Sequence, residues 1–242
     1  MPADLSITAI SAALPDLFRV IDLTGVFLNG ILGGRLARQK RFDAVGFAVL
    51  AIISALGGGI VRDLMLASGP PIAITDPYYL IVAIAGAAVA FLMPLSGTRT
   101  AWALLVADGL VLGTWAATGA TKTLDLGFGV MPALILGLTT AVGGGMIRDI
   151  AAGNVPAVFG GNDLYAVPAL VAAVIDIALF KIGLPDIGML VAALSACIFV
   201  VLARWRSWRL PQSTENWSFS MTRRQWREER RRKNEQSGKT DN

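Results

Sequence analysis

The stretch that decides the fold is residues 55–63, with the sequence ALGGGIVRD, because the chain repeats it at residues 141–149 as AVGGGMIRD. The two copies lie 86 residues apart (143 − 57), and the same offset relates Asp22 to Asp108. In each copy a glycine triplet and an Arg-Asp pair interrupt an apolar run. Matched interruptions in two halves of a membrane protein point to a binding or permeation site.

The composition predicts an all-α membrane protein. Of the 242 residues, 55% are hydrophobic and 16% are charged, whereas a soluble domain carries about 25% charged residues. The mean hydropathy is +0.62. Apolar runs of about 20 residues, the length that a helix needs to cross a bilayer, recur along the chain. These runs are continuous and do not alternate as the strands of a membrane barrel do.

The repeat divides the chain into two halves of three helices each, at residues 17–95 and 101–182. Because three is an odd number, the second half must enter the membrane upside down, which makes an inverted 3+3 repeat. A seventh helix at 186–206 has no counterpart, and a basic tail follows at 207–242. Residues 1–16 form an N-terminal segment without the pattern of a signal peptide. The seven transmembrane helices are predicted at 17–37, 42–68, 77–95, 101–122, 128–152, 163–182 and 186–206.

The distribution of lysine and arginine predicts the orientation. These residues are enriched at the cytoplasmic ends of membrane helices. Four of them lie within residues 35–41, at and just after the end of the first predicted helix, and the basic tail follows the seventh. Both clusters follow odd-numbered helices, so we expect the N-terminus outside and the C-terminus in the cytoplasm.

The tail carries nine Lys/Arg and five Asp/Glu over residues 207–242. One interpretation is a solvated tail that fixes the topology. The alternative is attachment to anionic lipid headgroups, which attract a cytoplasmic basic segment with about 1 kcal/mol per cation. One short basic run on a membrane protein gives little support for nucleic-acid binding, and we expect none.

The chain lacks the residue types of common enzyme sites. It has no histidine and a single cysteine, Cys197, so the usual metal ligand and the usual group that titrates near neutral pH are missing. The glycine triplets lack the Gly-Lys-Ser/Thr of a phosphate-binding Walker loop. We therefore expect a protein that is not an enzyme and has no cofactor.

The glycine triplets are the first candidate site. Three consecutive glycines are unfavourable inside a helix, where each costs about 1 kcal/mol relative to alanine. A broken helix frees backbone carbonyls that can replace part of the water shell of a cation, and such backbone is tolerated where it lines a wet cavity. The alternative is tight packing between helices that carry small residues. The candidate pore residues are Gly57, Gly58, Gly59, Gly143, Gly144 and Gly145.

The charges after the triplets are the second candidate site. Neighbouring residues on a helix do not face each other, so Arg62, Asp63, Arg148 and Asp149 need partners elsewhere. The spacing of 40 residues between Asp22 and Arg62 recurs between Asp108 and Arg148 (62 − 22 and 148 − 108). We expect one ion pair, Asp22–Arg62, near the outer face and a second, Asp108–Arg148, near the inner face. The alternative is that some of these groups extend to the headgroup layer.

Lys122 is a lone cation, because its counterpart in the first half (122 − 86) is Leu36. It lies at the outer end of the fourth predicted helix, near the expected depth of Asp22 and Arg62. There it can act as a gate at the mouth of a cation path or as an interfacial anchor. Moving one charge across the full membrane field is worth about 2.3 kcal/mol per 100 mV, so one lysine gives weak voltage dependence.

The paired GGGxxRD motifs, the two three-helix repeats and the seventh helix together resemble the prokaryotic branch of the trimeric intracellular cation (TRIC) channels, a family also labelled a glycine-transporter domain. The resemblance covers about residues 15–206. It implies a homotrimer in the inner membrane of a bacterial cell, or in the cell membrane of an archaeon. It also implies that each protomer has a pore through which potassium, the permeant ion, passes.

The resemblance further implies where the pore lies. Its walls are the first, second, fourth and fifth helices, with the second and fifth kinked at the glycine triplets. A potassium site is expected near the glycine breaks, with ligands that the sequence does not identify. Lys122 matches the charged position on the fourth helix that the resemblance links to voltage gating.

Three hypotheses follow for the function. The first is a channel for monovalent cations, chiefly potassium. The second is a secondary transporter of a small solute such as an amino acid, which inverted repeats also suit. The third is a membrane scaffold that recruits partners with its tail. Ionisable residues inside the predicted spans disfavour the scaffold, because such residues are functional candidates by default.

Overall fold

The fold is a bundle of long α-helices. A computed structural model describes residues 2–93, 95, 97–159 and 164–208, with side chains from residue 19 onward, and this part of the chain contains no strand. The basic tail, with its expected lipid contacts, lies outside the described residues from residue 209 onward. The helices are α1 (Pro2–Gln39), α2 (Ala44–Leu66), α3 (Ile72–Thr75), α4 (Pro77–Leu92), α5 (Thr98–Asp125), α6 (Val130–Ala151), α7 (Ala166–Lys181) and α8 (Pro185–Arg206).

Seven of these helices correspond to the seven predicted ones, and α3 is a single turn. Five helices within the described residues are long and apolar enough to cross a membrane, namely α2, α5, α6, α8 and the part of α1 from Arg19 to Gln39. The other two, α4 and α7, have 16 residues each and are shorter than predicted. At 1.5 Å per residue each extends about 24 Å, against a hydrocarbon core of about 30 Å.

The N-terminal segment predicted at 1–16 is not separate from the first helix. Residues 2–16 continue α1, which runs to Gln39 without interruption. Later helix starts follow local signals. The Asp43 side chain accepts a hydrogen bond from the Gly46 amide at 2.8 Å, which caps α2. The Asp76 side chain accepts one from the Tyr78 amide at 3.0 Å and caps α4 in the same way.

The helices pack in the order that the repeat suggests. Helix α1 packs against α2 and α4, and α5 packs against α6 and α7. Helices α2 and α6 cross each other and join the halves, while α8 packs on α5 and α7. Small residues make these contacts close: a Cβ built at Gly30 would lie 2.6 Å from the carbonyl oxygen of Ala83, and one at Gly113 2.6 Å from that of Ala192. Close backbone approach of this kind is typical of helix packing in membranes.

Candidate functional site

The two glycine triplets lie inside uninterrupted helices. Helix α2 is α-helical from Ala44 to Leu66, and α6 from Val130 to Ala151. The expected helix breaks, with carbonyls freed to bind a cation, are therefore wrong. The physical reason is that a glycine keeps its place in the helical hydrogen-bond ladder, and the cost of its conformational freedom is offset where a neighbouring backbone needs the space.

The first two glycines of each triplet form the crossing of α2 and α6. A Cβ built at Gly58 would overlap the carbonyl oxygen of Thr140, and one built at Gly144 would overlap that of Ser54. A Cβ at Gly57 would lie 3.3 Å from the Cα of Gly144. The contact is reciprocal, because Ser54 and Thr140 are themselves related by the 86-residue offset (140 − 54). Tight packing, the alternative interpretation of the triplets, describes this crossing.

The third glycine of each triplet has a different role. A Cβ at Gly59 would meet nothing nearer than Nη2 of Arg62, at 3.9 Å, and a Cβ at Gly145 would meet Nη2 of Arg148 at 3.6 Å. Helical side chains point back toward the N-terminus, so an arginine three residues later lies over this glycine. A methyl group at either position would make an ordinary van der Waals contact with the guanidinium group, so the third glycine is not required by close packing.

Asp63 is the centre of the charged groups in the first half. It is 1% exposed, and its Oδ1 accepts hydrogen bonds from Nε of Arg62 at 2.8 Å and from Nζ of Lys122 at 2.7 Å. Its Oδ2 accepts one from the backbone amide of Ile72 at 3.1 Å. Two cations from α2 and α5 therefore share one buried carboxylate. Lys122, a lone cation in the sequence, has a partner in the fold.

The expected pair between Asp22 and Arg62 is not formed among the described residues. Arg62 instead donates a hydrogen bond to its sequence neighbour Asp63. This contact was not expected, because neighbouring side chains on a helix do not face each other. The length of the arginine side chain makes this possible. Its Nε donates to Asp63, while its Nη2 lies over Gly59. Asp22 instead accepts hydrogen bonds from the hydroxyl of Tyr79 and from Nε1 of Trp115, the latter at 2.8 Å.

Asp22 and Arg62 nevertheless face the same cavity, as their expected common depth implied. The cavity lies beside the glycine crossing and is bounded by parts of α1, α2, α3, α4, α5 and α6. Its lining includes Asp22, Gly59, Arg62, Tyr79, Trp115 and Thr140. We call Asp22, Arg62, Asp63, Tyr79, Trp115 and Lys122 the first cluster.

The second half repeats much of this arrangement. Arg148 donates to Asp149 through Nε at 2.9 Å, as Arg62 does to Asp63, and its Nη1 lies 3.4 Å from the Ser54 hydroxyl across the helix crossing. The hydroxyl of Tyr165 donates to Asp108 at 3.2 Å. The expected pair between Asp108 and Arg148 is likewise not formed in the described part of the chain. We call Asp108, Arg148, Asp149 and Tyr165 the second cluster.

The two clusters differ at two positions. The residue that corresponds to Trp115 is Asn29 (115 − 86), whose amide bonds to the Gly25 carbonyl at 3.4 Å and not to a carboxylate. The residue that corresponds to Lys122 is Leu36, which lines a pocket with Arg148 and Asp149. The first cluster therefore has an indole donor and a cation that the second one lacks.

The sequence patterns did not identify the two tyrosines and Trp115 as parts of the clusters. The 86-residue offset between Tyr79 and Tyr165, which match as Asp22 and Asp108 do, was the signal that could have paired them. Nothing in the spacing pointed to Trp115, because it has no counterpart. Among the described residues, no group of three or more histidine, cysteine or acidic side chains is placed to hold a metal ion.

Comparison with known proteins gives a consistent result. The family model described as Glycine transporter matches residues 19–94 and 105–181, one segment in each half. A UPF0126 membrane protein of Deinococcus radiodurans is 35% identical over 109 residues, which cover 45% of this chain and 51% of that protein. The chain thus spans about half the length of this curated relative.

Solved structures match over more of the chain. One, described as "Structural basis for conductance through TRIC cation channels", has a TM-score of 0.75 at 30% identity and covers 83% of this chain and 99% of that one. The TRIC trimeric intracellular cation channel orthologue from Rhodobacter sphaeroides has a TM-score of 0.72 at 26% identity, over 78% of this chain and 98% of that one. The expected all-α fold and the resemblance are confirmed: this is a multi-pass membrane protein whose structural neighbours are channels, not enzymes.

Proposed function

The chain belongs to the family described as Glycine transporter, with the fold of TRIC channels, and from this premise we propose that it is a potassium-permeable cation channel. The observation that carries the proposal is the reciprocal crossing of α2 and α6 between two charged clusters. In this proposal each protomer of a homotrimer has its own pore. The pore runs between α1, α2, α5 and α6.

The charges of the two clusters favour cations. Counted as ionised, the first cluster holds Asp22 and Asp63 against two cations, and the second holds two acids against Arg148 alone. The total is one negative charge. Carboxylates beside a pore favour cations over anions, and a paired arginine repels them less than a free one does.

The glycine crossing is the proposed constriction. The backbones of α2 and α6 approach so closely at Gly58 and Gly144 that no space for an ion remains between them. Conduction therefore requires these helices to separate or bend at the triplets, where potassium would pass or bind. Lys122 is the proposed gating charge, because its side chain is 37% exposed and bridges α5 to Asp63 on α2.

The remaining features are also part of the proposal. The channel lies in the inner or cell membrane of a prokaryote, with the N-terminus outside and the C-terminus in the cytoplasm. The two halves are related as an inverted repeat, which the recurrence of the Arg-Asp and Tyr-Asp contacts at an offset of 86 residues supports. The basic tail at 207–242 contacts anionic lipid.

Planar-bilayer recording of the purified protein in asymmetric potassium chloride tests the channel. Stepwise currents that reverse near the potassium equilibrium potential are expected. Currents that reverse near the chloride potential would contradict cation selectivity. A bilayer that stays silent at all voltages, with protein that is folded and trimeric by size, would contradict the channel itself.

A second candidate function is transport of a small zwitterion such as an amino acid. The observation that favours it is the cavity shared by Asp22 and Arg62, whose carboxylate and guanidinium match the ammonium and carboxyl groups of one ligand. The cavity has a volume of about 30 Å³, so a transporter would have to widen it to bind an amino acid. Uptake of radiolabelled glycine into proteoliposomes tests it. Saturable uptake that Asp22→Asn removes, in a preparation without unitary currents, would favour the transporter over the channel.

A further inference from the structure

Asp176 on α7 is a buried carboxyl group that belongs to neither cluster. It is 0% exposed, and its Oδ2 lies 2.8 Å from the hydroxyl oxygen of Thr121 on α5. Its Oδ1 is buried without a hydrogen-bond partner, and no ion pair within the described residues includes it. The two carboxyl oxygens therefore share a single hydroxyl group as their partner.

The packing around Asp176 leaves no room for a metal ion or a water molecule to act as a second partner. On the side of α8, a Cβ built at Gly188 would lie 3.1 Å from Oδ1 of Asp176 and 3.2 Å from Cβ of Leu179. Asp176 is also absent from the lining of the cavity beside the glycine crossing. A buried water molecule needs a polar cavity of its own, which this tight contact does not provide.

The charged groups of the surrounding helices do not balance an anion at this position. Those on α5, α6, α7 and the start of α8 are either paired with one another or exposed: Lys122, Asp125, Arg148, Asp149, Lys181 and Asp186. Asp125 lies one helical turn after Thr121 and is itself an acid, so it opposes a second negative charge nearby. An ionised Asp176 would be buried with one neutral donor, which is strongly unfavourable.

We propose that Asp176 binds a proton, and that this proton keeps α7 packed against α5 and α8. A proton needs no space beyond the carboxyl group and removes the charge that burial disfavours. The protonated group can donate through Oδ2 to the hydroxyl oxygen of Thr121. The hydroxyl hydrogen of Thr121 is then free to turn to the backbone carbonyl four residues earlier. Four other threonines of α5 and α6 donate in this way: Thr114, Thr118, Thr123 and Thr140.

This proton site is separate from the proposed pore. Its counterpart in the first half is Ala90 (176 − 86), so it is not part of the repeated arrangement. Release of the proton would leave a charge in the contact between α7 and α8, where Gly188 allows the two helices to lie close together. The site therefore makes the packing of these helices sensitive to pH.

Thermal unfolding of the purified full-length protein between about pH 5 and about pH 8 tests the inference, because an aspartate in the unfolded chain has already released its proton above about pH 4. A native state that keeps this proton loses stability as the pH rises, until the native carboxyl group also releases it. The loss is at most about tenfold in the unfolding equilibrium constant per pH unit. Asp176→Asn carries a neutral side chain of nearly the same shape and lacks this loss.

The wild-type midpoint is therefore expected to fall relative to that of Asp176→Asn as the pH rises. The effects of the other acids are present in both proteins and cancel in the difference. Asp186→Asn changes an exposed acid in the first turn of α8 and should follow the wild type. Midpoints of the wild type and Asp176→Asn that stay parallel over the whole range would overturn the inference.

Infrared spectroscopy is the second measurement, and it decides the question if Asp176→Asn does not fold. A protonated carboxyl group has a carbonyl stretching band that an ionised one lacks, and a hydrogen bond shifts its frequency. Thr121→Val removes the hydrogen bond and is expected to shift one such band of the wild type. A spectrum of Thr121→Val without a shifted band would overturn the inference. Neither measurement depends on whether currents are observed, so the site and the channel are tested separately.

Discussion

Replacing Gly58 with alanine is expected to push α2 and α6 apart, whereas the same replacement at Gly59 is not. The new methyl group at Gly58 would overlap the carbonyl oxygen of Thr140 and lie 3.2 Å from the backbone nitrogen of Gly144. Both of these atoms belong to helix backbone, which cannot move aside as a flexible side chain can. At Gly59 the nearest atom is the end of the Arg62 side chain, 3.9 Å away.

The difference between the two variants isolates the close approach. Alanine is favoured over glycine in a helix interior by about 1 kcal/mol, and this gain applies at both positions. Overpacking a well-packed contact costs about 1–3 kcal/mol, and this cost applies at Gly58 alone. We therefore expect Gly58→Ala to be less stable than Gly59→Ala by about 1–3 kcal/mol.

Thermal unfolding of the purified protein measures this difference. For a chain of this size 1 kcal/mol corresponds to about 2–4 °C, so the Gly58→Ala midpoint should lie about 2–12 °C below that of Gly59→Ala. Gly144→Ala and Gly145→Ala repeat the comparison in the second half. Equal midpoints within both pairs would refute the reasoning, because the crossing would then tolerate a methyl group at its closest point.

Three further predictions concern the first cluster. Asp63→Asn leaves Arg62 and Lys122 without their carboxylate and should cost about 3–5 kcal/mol, measured by thermal unfolding against Asp43→Asn, which keeps a capping side chain on the same helix. Trp115→Phe removes the indole donor to Asp22 together with part of the buried ring volume, and should cost at least about 1.5–3 kcal/mol; a midpoint equal to that of the wild type would contradict the hydrogen bond. Lys122→Gln should flatten the voltage dependence of the open probability, and single-channel records with unchanged steepness would exclude Lys122 as a gating charge.

Much of the fold could be predicted from periodicity and repetition. The long apolar runs predicted seven helices, and all seven are present, because hydropathy over about 20 residues depends little on tertiary detail. The short α4 and α7 were predicted too long, since apolar residues beyond a helix end look the same as those inside it. The predicted start at residue 77 is the start of α4, which Asp76 caps.

The site was only partly predictable, for a geometric reason. Asp22 and Arg62 were expected at a common depth because depth follows from position along a helix, and both residues line one cavity. Their pairing was not inferred correctly, because it depends on side-chain direction. Arg62 lies over Gly59 and bonds to Asp63. The indole of Trp115, from the other half, donates to Asp22 where Arg62 was expected. Neither contact produces a periodic pattern in the sequence from which it could be predicted.

The difference between the two clusters has an electrical consequence. The first cluster contains Lys122 and Trp115, whereas the second has Leu36 and Asn29 at the matching positions. In the proposed channel, an ion that enters from one side therefore meets a neutral set of charges first, and an ion from the other side meets a net negative set. A path between the two clusters would have unequal entry barriers, so its open-channel current in symmetric potassium should rectify.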